Sequence, residues 1–117
     1  NIQSFEFKLG GEKWFHLDLP FHLFHFSENG LVNLLRKKGF SLKRVKRFHL
    51  EYGPFGWLQT LFNLSKIRFN LFYDLLKSGT LALLPIYLPI SLLFSIFEPI
   101  FFKRSGVCTF YLSKDKP

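Results

Sequence analysis

The stretch SENGLVNLLRKKGFSLKRVK, residues 27–46, predicts a helix followed directly by a strand. Ser27 suits the N-cap position, because its hydroxyl can accept a hydrogen bond from backbone N–H groups of the first turn. An apolar stripe at i, i+3 and i+4 spacing follows, made of Leu31, Leu34 and Leu35. Gly39 follows a basic last turn and can adopt the left-handed conformation that ends a helix. The helix is predicted over about 28–38.

A strand is predicted directly after this helix, over about 42–51. Its strongest signal is the alternation of apolar Phe48, Leu50 and Tyr52 with polar residues, which is typical of a strand buried on one face. A second strand is predicted in GVCTFYLS, residues 106–113, with its regular part over about 107–113.

Other segments of the chain show weaker signals of secondary structure. GPFG at 53–56 predicts a turn, and WLQTLFNL at 57–64 predicts a short apolar helix. Residues 69–79 have helical spacing of apolar side chains. At the start of the chain, residues 2–9 place three apolar residues on one helical face before Gly10 and Gly11, namely Ile2, Phe5 and Leu9.

Residues 80–97 contain no charged side chain, and a run of this length is near the minimum for a membrane span. Pro85 and Pro89 lie inside it and are expected to divide it into short pieces. A re-entrant or interfacial hairpin, or an apolar lid, is therefore favoured over a straight span. Lys103 and Arg104 follow closely, where they could meet lipid headgroups.

Length and composition indicate one small domain with an excess of positive charge. The 117 residues carry a formal net charge of +8 and a single cysteine, Cys108. One cysteine excludes an internal disulfide and any multi-cysteine zinc site. The charge favours acidic partners such as anionic lipid, nucleic acid or a phosphorylated ligand.

The aromatic segment 14–27, WFHLDLPFHLFHFS, is predicted to be an ordered loop that packs inward through its aromatic rings. Its polar side chains are His16, Asp18, His22 and His25. The spacing H-x5-H-x2-H matches no recognised zinc pattern, and Pro20 argues against a helix that would bring these residues together. The alternatives left open are acid–base chemistry and hydrogen bonds from the histidines to loop backbone. No metal is predicted.

Seven basic side chains fall within twelve residues: Arg36, Lys37, Lys38, Lys43, Arg44, Lys46 and Arg47. Such a run can mark nucleic-acid binding. It lacks interleaved stacking aromatics and any known nucleic-acid motif, so a solvated face is favoured and no nucleic acid is expected. The chain also lacks a phosphate-binding glycine loop, a G-x-S-x-G element and paired carboxylates.

Taken together, WFHLDLPFHLFHFSENGLVNLLRKKGFSLKRVKRFHLEYGPFGWLQTLFN, residues 14–63, resembles the C-terminal part of class I S-adenosylmethionine-dependent methyltransferases. The order of loop, leucine helix, G-F pair, strand and G-P-F-G-W segment carries the resemblance, which extends over about 1–63. It resumes at GVCTFYLSK, residues 106–114, which is similar to the closing strand of the family.

This resemblance implies an α/β fold, the C-terminal remnant of a seven-stranded Rossmann-like sheet. Residues 1–117 would be one partial domain with two antiparallel strands and several helices. Within it, 1–64 would be the methyltransferase segment, 69–104 a helical apolar insertion or lid, and 106–113 the final strand. The glycine-rich loop and the acidic residue that hold S-adenosylmethionine in the family are not in this sequence. They would belong to a missing N-terminal half of the same domain.

The resemblance also implies roles for the loop. His22 and His25 match the two loop histidines of the family and are the candidate catalytic residues. Candidate substrate-binding residues are Trp14, His16, Asp18 and Phe21. Phe21 departs from the family, which usually has arginine between this proline and histidine.

These observations predict a fragment of a methyltransferase acting on a small apolar or lipid-like acceptor, inactive alone. The alternative is a non-enzymatic basic protein held on a membrane surface through 80–104. The expected location is the cytoplasm or the cytoplasmic face of a membrane.

Overall fold

A computed structural model of the chain describes residues 1–67 and 82–114. These parts form an α/β structure with four α-helices and two antiparallel strands. The helices are α1 (Phe5–Gly10), α2 (Glu28–Lys37), α3 (Gly53–Leu64) and α4 (Leu84–Phe97), and the strands are β1 (Phe40–Lys46) and β2 (Thr109–Lys114). Short 3₁₀ turns occupy Gly11–Lys13 and Phe15–Leu17, and a π-helical turn, Glu98–Phe102, continues α4.

The predicted caps of the helix that precedes the first strand are confirmed. The Ser27 hydroxyl accepts from the Gly30 N–H at 3.0 Å, and Gly39 adopts a φ of 77° just after the helix. The face of α2 differs in part from the predicted stripe. Val32 is its buried residue and Leu34 is exposed, and α2 packs on β1.

The sheet pairs β1 with β2 in antiparallel order, with Phe40 opposite Lys114 and Lys46 opposite Thr109. The prediction that the first strand continues to residue 51 is wrong. Since β2 begins at Thr109, residues 47–51 have no ladder partner among the described residues, and the chain turns toward α3 instead. Phe48 and Leu50 are accordingly exposed, so their alternation did not reflect a buried strand face.

Helix α3 is the best-buried element described. Its prediction as a helix is confirmed for residues 57–64, but GPFG is its first turn and not a separate turn. Pro54 fits there because the first turn of a helix needs no donor from that nitrogen. Trp57, Leu58 and Phe62 form the apolar core of this helix, and the Trp57 ring stacks on Phe94 of α4 at 4.7 Å.

The short helix or turn indicated over residues 2–9 is confirmed as α1, which ends at Gly10. Ile2 and Leu9 are exposed, whereas Glu6 is buried. The prediction for the two prolines is wrong. Pro85 and Pro89 do not divide the apolar run, because Pro85 lies in the first turn of α4 and Pro89 is accommodated inside a continuous helix. The helix predicted over 69–79 and the first residues of the 80–97 run lie outside the described residues.

Among the described residues, one helix is long and apolar enough to cross a membrane. It is the 19-residue run Leu84–Phe102, in which 17% of the apolar window is buried. A core helix of a soluble protein can have the same length and composition, but it would be mostly buried.

Candidate functional site

The aromatic segment forms a compact loop anchored by one ring. Trp14 is buried and packs edge-on against Phe7 of α1, with ring centroids 5.2 Å apart. Asp18 then takes a left-handed conformation, and its carbonyl accepts hydrogen bonds from the N–H groups of Phe21 and His22. This tight turn, which includes the cis Leu19–Pro20 peptide, brings His22 back beside Asp18.

The expectation that all the rings of this loop pack inward is wrong. Phe21 and Phe24 are each 81% exposed, and Phe26 is also exposed. These three residues line an open cavity of about 890 Å³ between the loop, the start of α2 and the approach to β2. The cavity wall is mainly apolar, and its aromatic residues are Trp14, Phe15, Phe21, Phe24, Phe26, Tyr52 and Phe110.

Polar residues of the loop and of α2 also line this apolar cavity. They are His16, Asp18, His22, His25 and Glu28. The structure therefore brings every candidate site residue of the sequence to one cavity, since Trp14 and Phe21 also line it. An apolar cavity with a few convergent polar groups is a common form of small-molecule site.

His22 and Asp18 form the first carboxyl–imidazole pair of the site. The His22 Nδ1 lies 2.9 Å from Asp18 Oδ2. A donor at Nδ1 leaves Nε2 as the acceptor nitrogen of a neutral ring. Nε2 has no hydrogen-bond partner among the described residues, so this pair has the arrangement of an oriented general base.

His16 and Glu6 form a second pair, in which His16 lines the cavity and Glu6 is buried and does not. Glu6 Oε1 accepts a hydrogen bond from the Thr60 hydroxyl at 2.9 Å, and Glu6 Oε2 lies 3.9 Å from His16 Nε2. Thr60 also accepts from the Phe15 N–H at 3.0 Å. Thr60 of α3 therefore connects the carboxyl group on α1 with the backbone of the loop.

Burial makes this second pair neutral. It raises the pKa of Glu6 to about 8, against the opposing effect of the Thr60 hydrogen bond. Burial likewise lowers the pKa of His16 to about 4. The 3.9 Å separation is short enough for an ion pair, but at pH 7 these pKa values describe a carboxylic acid beside an uncharged imidazole.

Two glycines leave the room that the Glu6–His16 pair occupies. A Cβ atom at Gly56 would overlap His16 Nε2 and would lie 3.1 Å from Glu6 Oε1. A Cβ atom at Gly106 would overlap Glu6 Oε2. The first glycine belongs to α3 and the second precedes β2, so elements distant in sequence enclose the same two side chains.

His25 has a different role from His22. Its Nε2 lies 3.2 Å from the His16 backbone carbonyl, and its ring packs against Trp14 at 5.9 Å. This contact is the loop-bracing alternative that the sequence left open. Of the two candidate catalytic histidines, His22 has the ring nitrogen that is available to a ligand.

The other candidates are distributed as follows. Arg47 pairs with Glu28, and the six remaining members of the basic run are exposed. Cys108 is half-buried before β2, and burial raises the pKa of its thiol to about 11, which disfavours the reactive thiolate. In the described ranges, no three His, Cys, Asp or Glu side chains are grouped as metal ligands would be.

Sequence reasoning missed Glu6, Thr60 and Glu98. Glu98 is buried and accepts hydrogen bonds from the Phe5 N–H at 2.5 Å and the Trp57 indole at 3.2 Å. A signal existed for both acids, because each is a lone charge beside phenylalanines: Glu6 in FEF and Glu98 directly after an uncharged run. Thr60 gave no signal of its own.

Comparison with protein-family models, curated proteins and solved structures finds no match to this chain. Function is therefore inferred from the geometry of the described residues, together with the resemblance of the sequence.

Proposed function

We propose that the chain is the C-terminal, acceptor-binding portion of a class I S-adenosylmethionine-dependent methyltransferase. The observation that carries the proposal is the cavity of about 890 Å³, which gathers all the loop residues that match the family. His22 and Asp18 stand at its wall with an acceptor nitrogen available, as an acceptor that must lose a proton would require.

The sheet gives independent support to the idea of a partial domain. Among the described residues, β2 is paired on one edge only, with β1. A two-stranded sheet is marginally stable in water, and an unpaired edge is a template for another strand.

The residues of this chain do not make a site for the cofactor by themselves. The sequence has no glycine-rich loop between a strand and a helix to hold the cofactor. The methyl donor would therefore be held by the N-terminal half of the domain, and residues 1–117 would contribute the acceptor side. No metal is part of the proposed site.

The cavity wall defines the class of acceptor. The surface is mainly apolar and rich in aromatic rings, and His22 stands at the same wall. Such a wall suits an apolar or lipid-like molecule that carries one nucleophilic group. Methyl transfer needs mainly alignment, plus a base where the acceptor is a hydroxyl or an acidic carbon. Here the proton of the acceptor would pass to His22 Nε2.

The test has two parts. The native protein is purified from its source, its intact mass is measured, and binding of S-adenosylmethionine is followed by equilibrium dialysis. We expect a mass above 13.9 kDa and saturable binding, whereas residues 1–117 alone bind no cofactor. Saturable binding to residues 1–117, or a native mass of 13.9 kDa without binding, would refute the proposal.

A second candidate function is a non-enzymatic basic protein on a membrane surface. The observation that favours it is the exposed apolar face of Leu84–Phe102. A native protein that binds membranes but neither cofactor nor methyl acceptor would support this second candidate.

A further inference from the structure

Helix α4 and the π-helical turn after it have an inverted distribution of polar and apolar side chains. The face against α3 carries Ser91, Ser95 and Glu98, and all three are buried. The outward face is an apolar stripe at spacings of four and three residues, made of Ile86, Ile90, Leu93, Phe97 and Ile100. These five side chains are between 37% and 70% exposed. We call them the outward stripe.

A surface helix of a soluble protein has the opposite arrangement, with its apolar stripe facing the core. In α4 the polar groups that face inward all have partners. The Ser91 and Ser95 hydroxyls donate to the carbonyls of Leu88 and Leu92, and Glu98 accepts from Trp57. Polar side chains turned toward protein and apolar ones turned outward are the pattern of a helix in contact with lipid.

The charges at the end of the stripe indicate which lipid surface it would meet. Lys103 directly follows the π-helical turn and is exposed. Lys8 and Arg104 line a small cavity together with Phe101 and Phe102. Lys103 therefore follows the C-terminal end of the outward stripe, and Lys8 and Arg104 lie beside the phenylalanines that adjoin it, in a chain of net charge +8. Arg104 also donates to the Gln3 carbonyl at 3.2 Å. Basic side chains in this position are attracted to anionic headgroups.

We propose that the outward stripe lies in the acyl-chain boundary of an anionic membrane leaflet, with Lys8, Lys103 and Arg104 at the headgroup phosphates. This inference rests on the helix face and on the basic side chains at its end. It deepens the second candidate function and does not require the methyltransferase function. If the methyltransferase function also holds, it would place the cavity of the same small domain near a lipid surface.

The geometry favours a helix that lies in one leaflet over one that crosses the bilayer. A helix of this length would be about 28 Å long, which is close to the hydrocarbon thickness. However, the face of α4 opposite the outward stripe packs against α3, where the Trp57 ring stacks on Phe94 and the Trp57 indole donates to Glu98. A crossing helix would leave these contacts and carry the Glu98 carboxyl into hydrocarbon, which is costly.

Vesicle flotation tests the proposal. The purified protein is mixed with vesicles of phosphatidylcholine alone, or with vesicles that also contain about 30% phosphatidylserine. The second lipid gives the vesicle the negative surface charge that attracts basic segments. The double variant Leu93→Glu/Ile100→Glu changes the two most exposed residues of the outward stripe. The control Leu34→Glu/Leu50→Glu adds the same charge at exposed apolar residues elsewhere.

We expect the wild-type protein and the control to float with the anionic vesicles, and the stripe variant to lose about tenfold or more of its partitioning. Lys8→Glu/Lys103→Glu should weaken binding to anionic vesicles and leave the weaker binding to neutral ones unchanged. Failure of the wild-type protein to float, or equal flotation of the stripe variant, would overturn the proposal.

A second measurement does not depend on the folding of the glutamate variant. An environment-sensitive dye is attached at Leu93→Cys in a Cys108→Ser background, and at Leu34→Cys as the control. Anionic vesicles should shift the emission of the first dye to the blue and leave the second unchanged. If no shift occurs and the wild-type protein is instead a dimer that Leu93→Glu/Ile100→Glu dissociates, the stripe binds a second copy and the proposal is wrong.

Discussion

The cavity region contains two carboxyl–imidazole pairs that differ in burial. In the Asp18–His22 pair the side chains are 49% and 65% exposed, and Asp18 Oδ2 lies 2.9 Å from His22 Nδ1. In the Glu6–His16 pair the side chains are 2% and 17% exposed, and the atoms are 3.9 Å apart. Both pairs include a histidine of the same loop, so local sequence alone does not distinguish them.

The difference in burial determines whether a ligand can reach each pair. The Glu6–His16 pair is desolvated and neutral, and its atoms are enclosed by Gly56, Gly106 and the Thr60 hydroxyl. It is therefore structural, and the Thr60 hydroxyl links α1, the loop and α3 by its hydrogen bonds to Glu6 and to the Phe15 N–H. The Asp18–His22 pair faces the cavity and has a nitrogen available, so it is the pair that a ligand can reach.

The largest effect is expected from His22→Ala in the native protein. If His22 is the base, loss of the imidazole should lower the methyl-transfer rate by roughly 100- to 10,000-fold, the usual contribution of a positioned general base. The rate is measured with tritiated S-adenosylmethionine at saturating acceptor. His49→Ala is the matched control, because His49 lies outside the cavity wall and contacts Lys46 and Thr109. An equal loss in both variants would contradict the assignment.

Gly56→Ala should destabilise the fold through the buried pair. Alanine normally favours a helix interior over glycine, yet here the added methyl would overlap His16 Nε2. We expect a loss of about 1–3 kcal/mol in the free energy of unfolding, as for other overpacked sites. Urea unfolding followed by tryptophan fluorescence measures it, with Phe55→Ala on the exposed side of α3 as the control. A more stable Gly56→Ala protein would show that the pair is not held as described.

The pH dependence of stability should report the buried pair. Because folding raises the pKa of Glu6 from 4.5 to about 8, the folded protein holds this proton more tightly, and stability should fall as pH rises through that range. His16 acts oppositely, since its pKa falls from 6.5 to about 4, and stability should rise with pH over that range.

Glu6→Gln isolates the first effect. The amide cannot ionise and still offers an oxygen to Thr60, so the decline in stability between pH 6.5 and 8 should largely disappear. Urea unfolding at a series of pH values measures this, and Asp18→Asn is the control that should retain the decline. A Glu6→Gln protein with the same decline as the wild type would assign the titration to another group.

The smallest effect is expected from Asp18→Asn on stability. Asparagine tolerates the left-handed conformation of this position, and an exposed charge pair contributes little. The free energy of unfolding should change by less than about 0.5 kcal/mol. A loss of several times that size would mean that the two pairs do not differ in the way their burial indicates.

Local signals in the sequence predicted the local parts of the fold. The Ser27 cap, the helix after it and Gly39 depend on neighbours within a few residues, and each is confirmed. The end of β1 depends on where β2 begins, some 60 residues later, and it was predicted wrongly. The continuity of α4 is not evident from the sequence, because Pro85 and Pro89 are both residues that usually interrupt a helix, whereas the structure accommodates one in the first turn and one in the interior.

The residues of the candidate site also fall into those that local sequence identifies and those that depend on distant parts of the chain. The loop residues could be found because they are contiguous and match a family pattern. Glu6 was missed because its partners, Thr60 and Gly106, come from distant parts of the chain. The spacing of Ser91, Ser95 and Glu98 marks one polar face of α4 in the sequence. That this polar face is the buried one depends on its packing against α3, which the sequence does not show.

The most direct test of the central claim is methyl transfer by the native protein. The protein is purified from its source, incubated with tritiated S-adenosylmethionine and a lipid extract from the same source, and the organic phase is counted. We predict label in an apolar product, dependent on time and protein and abolished by heat denaturation. No label above background, from a protein that is folded and also binds no cofactor, would contradict the claim that this cavity is a methyl-acceptor site.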